Sequence, residues 1–213
     1  LISDPVSASS GQTVLKVGYP KGSYVPSNDP IGEAVIQDGY NDANSSSTFR
    51  PSLLLSYSVA FPSNFDFVKG GKLPGLYSSV GISNASDASS PYTLDANTDG
   101  CSGGARDGVG ESCWSVRLMW RENGEGEVYA YFPTNPSGSY DPCSQRKDTM
   151  ICNDKFGTSI GRGSFRFNKG GGGYTDVNLY VQLNSLPNLA NGGIQLWIDG
   201  VQVVNEQGLL LRT

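Results

Sequence analysis

The chain contains no histidine, so the commonest biological acid and base is missing, and with it any Ser-His or Cys-His nucleophile. Proton transfer is left to Lys, Tyr, Asp and Glu. Two short patterns gather such groups beside a cation. In Trp114-Ser-Val-Arg-Leu-Met-Trp120 the residues Ser115 and Arg117 stand two apart, and in Glu127-Val-Tyr-Ala-Tyr131 so do Tyr129 and Tyr131. A phenol or an amine titrates near pH ~10, and serves near neutrality only where neighbouring cations or burial shift it. A third stretch, Lys69-Gly-Gly-Lys-Leu-Pro-Gly-Leu-Tyr77, sets two ammonium groups among residues that disfavour regular structure, and reads as a bent loop. Arg162, in Ser159-Ile-Gly-Arg-Gly163, has glycines on both sides that would let a ligand approach closely.

These groups need strands to position them. Trp114, Val116, Leu118 and Trp120 alternate with Ser115, Arg117 and Met119, and Val128, Ala130 and Phe132 alternate with Glu127, Tyr129 and Tyr131. The Asn-Gly signal within Glu122-Asn-Gly-Glu-Gly126 joins the two runs into a β-hairpin. Their polar faces coincide only if paired positions sum to an even number, which an odd-length loop provides. A three-residue loop Glu122-Asn123-Gly124, with Gly124 left-handed, sets Arg117 opposite Tyr129 and Ser115 opposite Tyr131. One hydroxyl, one guanidinium and two phenols then form a polar platform, with Glu127 on the Tyr129 face. A purely structural reading stands beside this one: tyrosines at i and i+2 are frequent in strands, and an Arg across from a Tyr is ordinary stacking. Likewise Lys69 and Lys72 would solubilise an apolar Leu73 and Leu76 edge, and Arg162 would sit in a solvated turn.

The rest of the chain supplies more strands. Leu53, Leu55, Tyr57, Val59 and Phe61 recur at period two, as do Thr175, Val177, Leu179, Val181 and Leu183. Ile194, Leu196 and Ile198 lead into an Asp199-Gly200 turn and a return strand from Val201 to Val204. No run reads as a helix of three turns. With 28 Gly, 12 Pro and only 16% charged residues in 213, the composition is that of short strands and tight turns in one domain spanning 1–213. The expected fold is all-β: a β-jelly roll sandwich of two antiparallel sheets, capped by long loops over roughly Ser83 to Ser112 and Pro133 to Ser159.

Those loops carry the four cysteines. Clustering favours the pairs Cys101 to Cys113 and Cys143 to Cys152, whereas zinc is disfavoured because the spacings are not CxxC and no His is available. Each disulfide would close a short loop, stabilising by about 2 to 3 kcal/mol. Disulfides, and sequons at Asn44 and Asn84, point to a secreted, extracellular setting. The net charge of -5 argues against a nucleic-acid partner. No run of 18 apolar residues suggests a membrane span, and Leu1-Ile2-Ser3-Asp4 lacks a signal pattern, so a mature, soluble monomer is expected.

The blocks KGGKLPGLY, CWSVRLMWRENGEGEVYAY and FGTSIGRGSF resemble the fourteenth polysaccharide lyase family, which includes alginate lyases and glucuronan lyases, over about Lys69 to the C-terminus. The resemblance implies a β-jelly roll and places the family's catalytic lysine on Lys72, its Ser-x-Arg pair on Ser115 and Arg117, and its Tyr-x-Tyr pair on Tyr129 and Tyr131. Such a lyase takes the C5 proton of a uronate, α to the carboxylate, and expels the 4-linked oxygen to leave a C4=C5 double bond. Arg117 and Ser115 would neutralise the carboxyl group as charge grows on it. Lys72 would be the base and Tyr129 or Tyr131 the acid; a single tyrosine in both roles, with Lys72 only neutralising charge, is the competing assignment. In β-linked glucuronate or mannuronate the C5 hydrogen and the C4 oxygen share a side, so elimination would be syn.

The implied partner is an anionic polysaccharide, glucuronan ahead of mannuronate-rich alginate, with Arg162 and Glu127 as further substrate-binding residues. No cofactor is required by this chemistry, and a calcium ion held by loop carboxylates and carbonyls would be structural. The cysteine-bearing loop between Lys72 and Ser115 departs from the family pattern and would reshape the subsites. Two rivals remain. Glu122, Glu125 and Glu127 crowd one hairpin, as paired carboxylates do in a sandwich-fold glycoside hydrolase. A non-catalytic carbohydrate-binding module would use Trp114, Trp120 or Trp197 as stacking platforms; Trp114 and Trp120 read as core, and Trp197 as exposed.

Overall fold

The computed structural model describes residues 1–6, 11–23, 51–79, 113–134, 140–153, 156–167, 172–187 and 189–213. Cys101, the sequons at Asn44 and Asn84, and the expected loop from Ser83 to Ser112 lie outside the described residues. The chain divides into two compact units, Leu1–Ser46 and Ser47–Thr213. In the first, β1 (Ile2–Ser3) pairs antiparallel with β2 (Thr13–Val14).

The second unit holds two antiparallel sheets. One has four strands, in the order β11 (Val201–Leu209), β10 (Gly192–Ile198), β9 (Tyr174–Gln182) and β3 (Ser52–Ala60). The other has five: β4 (Gly71–Ser79), β5 (Cys113–Trp120), β6 (Gly126–Tyr131), β8 (Thr158–Ile160) and β7 (Met150–Ile151). This is the β-sandwich expected from the composition. Its inner layer comes from alternate positions: Val116 and Leu118 of β5, Val128 and Ala130 of β6, Leu179 and Val181 of β9, and Ile194 and Leu196 of β10 are buried. Asp199 and Gly200 both take positive φ (52° and 80°), the two-residue hairpin geometry an Asp-Gly pair favours. The return strand runs on to Leu209, five residues past the expected Val204, because Asn205 and Gln207 remain paired to Gln195 and Gly193.

An aromatic cluster closes one end of the sandwich. Phe61 sits 5.3 Å from Trp120 and 5.8 Å from Phe167, centroid to centroid, at inclined angles that suit ring quadrupoles.

The segment from Pro133 to Ser159 departs from the expected long loop. It contains a helical turn, α1 (Pro142–Gln145), capped by Asp141 accepting from the Ser144 N–H at 2.9 Å, and the edge strand β7. Asp141 caps because its carboxylate satisfies an N–H left open at a helix start. The Cys143–Cys152 disulfide staples this segment as expected. Cys113 is also disulfide-bonded. Arg146 fastens the same segment to β11, donating to the Gln207 carbonyl at 2.7 Å and pairing with Glu206 at 3.3 Å.

Candidate active site

Strands β5 and β6 form the hairpin in the expected register: Ser115 lies opposite Tyr131, Arg117 opposite Tyr129, and Met119 opposite Glu127. The Arg121 N–H donates to the Glu125 carbonyl at 2.7 Å, closing a loop of Glu122, Asn123 and Gly124. Asn123 takes a positive φ (59°) along with Gly124 (74°). The odd loop length brings the polar faces of both strands to the same side of the sheet.

Neighbouring strands extend this face. On one flank Tyr77 pairs with Ser115, Gly75 with Arg117 and Lys72 with Met119. On the other, Ser159 pairs with Tyr129. The face is therefore a grid of three rows: Tyr77, Ser115, Tyr131; then Gly75, Arg117, Tyr129, Ser159; then Lys72, Met119, Glu127. Unlike a half-solvated strand, β6 is buried at every position, so the platform lies under cover and only Lys72 and Arg117 of the five expected catalytic residues are half-buried rather than buried.

Lys72 reaches this face from a strand, not from the bent loop that Gly70, Gly71 and Pro74 suggested. The segment Gly71–Ser79 pairs along β5, and its irregularity is confined to a bulge between Leu73 and Gly75. Pro74 occupies the extra position, where the lack of an N–H leaves no ladder donor missing. The bulge also changes parity. Without it Lys72 would point to the opposite face from Gly75 and Tyr77. Gly75 itself permits the close approach of β5, since a Cβ there would overlap the Val116 carbonyl oxygen and stand 2.5 Å from Arg117 Cα.

The two phenol oxygens are 3.5 Å apart, and the rings meet edge to face at 89°. The Gly157 N–H donates to the Tyr129 oxygen at 2.8 Å. Three cations surround the pair: Lys72 Nζ is 6.0 Å and Arg121 Cζ 5.6 Å from the Tyr129 ring centroid, and Arg117 Cζ is 5.9 Å from that of Tyr131. Burial, reinforced by the Tyr129 hydroxyl, pushes Tyr131 up to about 12, against a smaller opposing pull from Arg117. Tyr131 therefore holds its proton at neutral pH.

Glu127 is fully buried, and both of its oxygens are engaged. Arg121 donates to Oε1 through Nε at 2.8 Å and through Nη2, while Ser159 Oγ donates to Oε2 at 2.5 Å. Arg162 Nε stands 3.7 Å from Oε2, so this arginine is tied to the platform rather than to a detached turn. Arg121, Ser159, Tyr77 and the Gly157 N–H were not among the residues expected from sequence. Arg121 shares the parity of Arg117 and was legible on that ground. Tyr77 was hidden by the bulge, and a backbone N–H such as that of Gly157 leaves no side-chain pattern.

The carboxylates do not form a hydrolytic pair: Glu122 is exposed, Glu125 pairs with Arg166 at 3.0 Å across the turn, and Glu127 is held as described. Trp114 and Trp120 are in the core, and Trp197 is half-buried on the other sheet. Among the described residues no group of three or more His, Cys, Asp or Glu is placed to hold a metal ion. None of their helices is long and apolar enough to cross a membrane.

Comparison with solved structures gives matches to alginate lyases. The crystal structure of the marine PL-14 alginate lyase from Aplysia kurodai is 33% identical, with a TM-score of 0.58 over 81% of this chain and 57% of that one. A mutant of the alginate lyase Aly36B in complex with an alginate trisaccharide is 18% identical, with a TM-score of 0.49 over 76% and 54%. The alginate lyase vAL-1 from Chlorella virus is 18% identical, with a TM-score of 0.46 over 76% and 56%. The chain thus spans little more than half the length of the structures it matches. A search of curated proteins found no match. The family model for polysaccharide lyase 14 matches residues 7–213, nearly the whole sequence. On that match, and with the crystal structure that is 33% identical, the chain belongs to polysaccharide lyase family 14.

Proposed function

We propose that the protein cleaves 1,4-linked β-D-uronate polymers by syn β-elimination on the face that carries Lys72, Ser115, Arg117, Tyr129 and Tyr131. The observation that carries this reading is the grid itself: a guanidinium and a lysine amino group flank two phenols, one of which stays protonated at neutral pH. Arg117, aided by Ser115, takes the substrate carboxylate and stabilises the charge that builds on it when the adjacent C5–H bond breaks. The proton passes to Lys72 Nζ, which acts as its neutral amine, the C5 electron pair forms the C4=C5 bond, and the C4–O bond breaks. Tyr131 gives its proton to the departing oxygen, which becomes a new reducing end. Transfer of the proton from Lys72 back to Tyr131, past the neighbouring Tyr129 hydroxyl, restores the starting state. Nothing is oxidised or reduced.

Glu127 is assigned a positioning role in place of direct substrate contact, because its oxygens are occupied by Arg121 and Ser159. Arg162, with its side chain 44% exposed, keeps donors for a neighbouring uronate. The relative from Aplysia kurodai is an alginate lyase, which brings mannuronate-rich alginate level with glucuronan as a substrate. The enzyme works as a monomer in an oxidising, extracellular setting that preserves its disulfides.

The test is to incubate the protein with glucuronan and with mannuronate-rich alginate and follow ultraviolet absorbance of the unsaturated product. Elimination gives new reducing ends with absorbance, hydrolysis gives ends without it, and a binding module gives neither. Lys72→Arg separates the two assignments of the base: turnover that survives the change removes Lys72 from proton abstraction, because arginine scarcely deprotonates.

A further inference from the structure

The four-stranded sheet has a second face, on the side away from its buried alternate positions, and its chemistry differs from that of the catalytic grid. Leu54, Asn178, Tyr180, Gln195, Trp197 and Gly200 line a shallow depression of about 430 Å³ there. Tyr180 pairs with Leu54 on one side and Gln195 on the other, and Asn178 lies between Ser56 and Trp197. Tyr180 and Trp197 are thus diagonal neighbours on adjacent strands, their backbone positions about 7 to 8 Å apart, close enough to serve one extended ligand. Leu54 beside them is 61% exposed.

The amides around the rings are fixed in orientation. Ser56 Oγ donates to Asn178 Oδ1 at 2.7 Å, and Asn205 Oδ1 accepts from Gln195 Nε2 and Gln207 Nε2 at 3.0 Å each. This wiring uses the oxygen of Asn178 and the nitrogen of Gln195. The depression therefore offers an amide donor and an amide acceptor beside two stacking surfaces, on rigid strands that lose little freedom when a ligand arrives. Among the described residues its lining contains neither Lys nor Arg. The nearest charge along β9 is the carboxylate of Asp176, which accepts from Ser58 Oγ at 2.6 Å. Among the described residues of the lining a polyanion would meet no cation, and the carboxylates of Asp176 and Asp199 stand close by, whereas an uncharged sugar meets ring faces for its C–H groups and amides for its hydroxyls.

We propose that this face binds a strand of uncharged polysaccharide, and so tethers the protein to a neutral matrix while the other sheet acts on a polyanion. The site stands on the opposite sheet from the catalytic grid and is tested without reference to turnover. Affinity electrophoresis of the intact protein through gels containing hydroxyethyl cellulose, glucomannan or alginate gives the readout, with wild type, Trp197→Ala, Tyr180→Ala and Gln195→Ala compared. At least one neutral gel should retard the wild type; Trp197→Ala should weaken that binding at least tenfold and Gln195→Ala measurably, with melting temperatures and far-ultraviolet circular dichroism unchanged. Absence of retardation in both neutral gels overturns the proposal, as does retardation that survives Trp197→Ala. Retardation by alginate alone, lost in Trp197→Ala, would make the face a polyanion subsite. A wild-type dimer in sedimentation that Trp197→Ala dissociates would make it a self-association surface.

Discussion

At the scale of single residues, the proposed site sets a phenol that keeps its proton among basic side chains. Burial raises Tyr131 to about 12 from an ordinary value near 10. If it is the acid, Tyr131→Phe should lower kcat by about 10²- to 10⁴-fold with little change in KM, since the lost interaction belongs to the transition state. A drop in KM-controlled binding alone, with kcat intact, would remove Tyr131 from the chemistry. The same shift has a consequence for stability. The folded state prefers the protonated phenol, so between pH 10 and about 12 the native protein retains a proton the unfolded chain has released, and stability falls as pH rises through that window. Urea midpoints of wild type should drop more between pH 9 and pH 11 than those of Tyr131→Phe. Glu127 is a different case: a fully buried carboxylate whose removal strands Arg121 and Ser159. Glu127→Ala should cost about 3 to 5 kcal/mol and Glu127→Gln less, because the amide still accepts one hydrogen bond. Denaturant midpoints for Glu127→Ala that match wild type would show the network to be dispensable.

At the scale of elements, the register of β4 decides whether Lys72 and the guanidinium share a face. Inserting one residue between Lys72 and Leu73 moves Lys72 from opposite Met119 to opposite Trp120 and turns it to the other side of the sheet, whereas deleting Pro74 would leave it opposite Met119. The expected outcome of the insertion is loss of activity in a protein that still folds, whereas Pro74→Ala keeps the extra residue and most of the rate. Gly75→Ala should destabilise by about 1 to 3 kcal/mol, since its Cβ meets the backbone of β5. Both are checked by melting temperature alongside turnover. The hairpin register was legible in sequence because an odd loop and strict alternation leave one way to superpose the polar faces. Lys72 was placed there only by family resemblance, and the residues around it read as a loop, because alternation counted along Lys69 to Tyr77 fails at the bulge. The strand Gly71–Ser79 is held by pairing with β5, which local propensity does not register.

At the scale of the molecule, the stapled segment ties β11 of the four-stranded sheet to the site. Cys143–Cys152 lies just before Gly157, whose N–H fixes the Tyr129 oxygen, and Arg146 anchors the same segment to β11. Replacing both cysteines by serine should cost about 2 to 3 kcal/mol and lower kcat through loss of that N–H. An unchanged kcat in the destabilised variant would show that Gly157 is held by its other contacts. The net charge of -5 acts over longer range. It would repel the proposed polyanionic substrate at low ionic strength, so moderate salt should leave KM unchanged or reduce it. A steep rise in KM with salt would mean that the local cations outweigh the acidic surface.

By itself the sequence determined that the fold is all-β, that β5 and β6 form a hairpin, and that Ser115, Arg117, Tyr129 and Tyr131 share one face. These follow from local alternation and turn chemistry, which act over a few residues. Only the tertiary structure decided that Lys72 stands on a strand beside them, that Glu127 is a buried anchor for Arg121, and that Gly157 donates to Tyr129. Each of those depends on which distant strand lies alongside and what covers the face, and burial and pairing between remote segments have no period that a linear reading can follow.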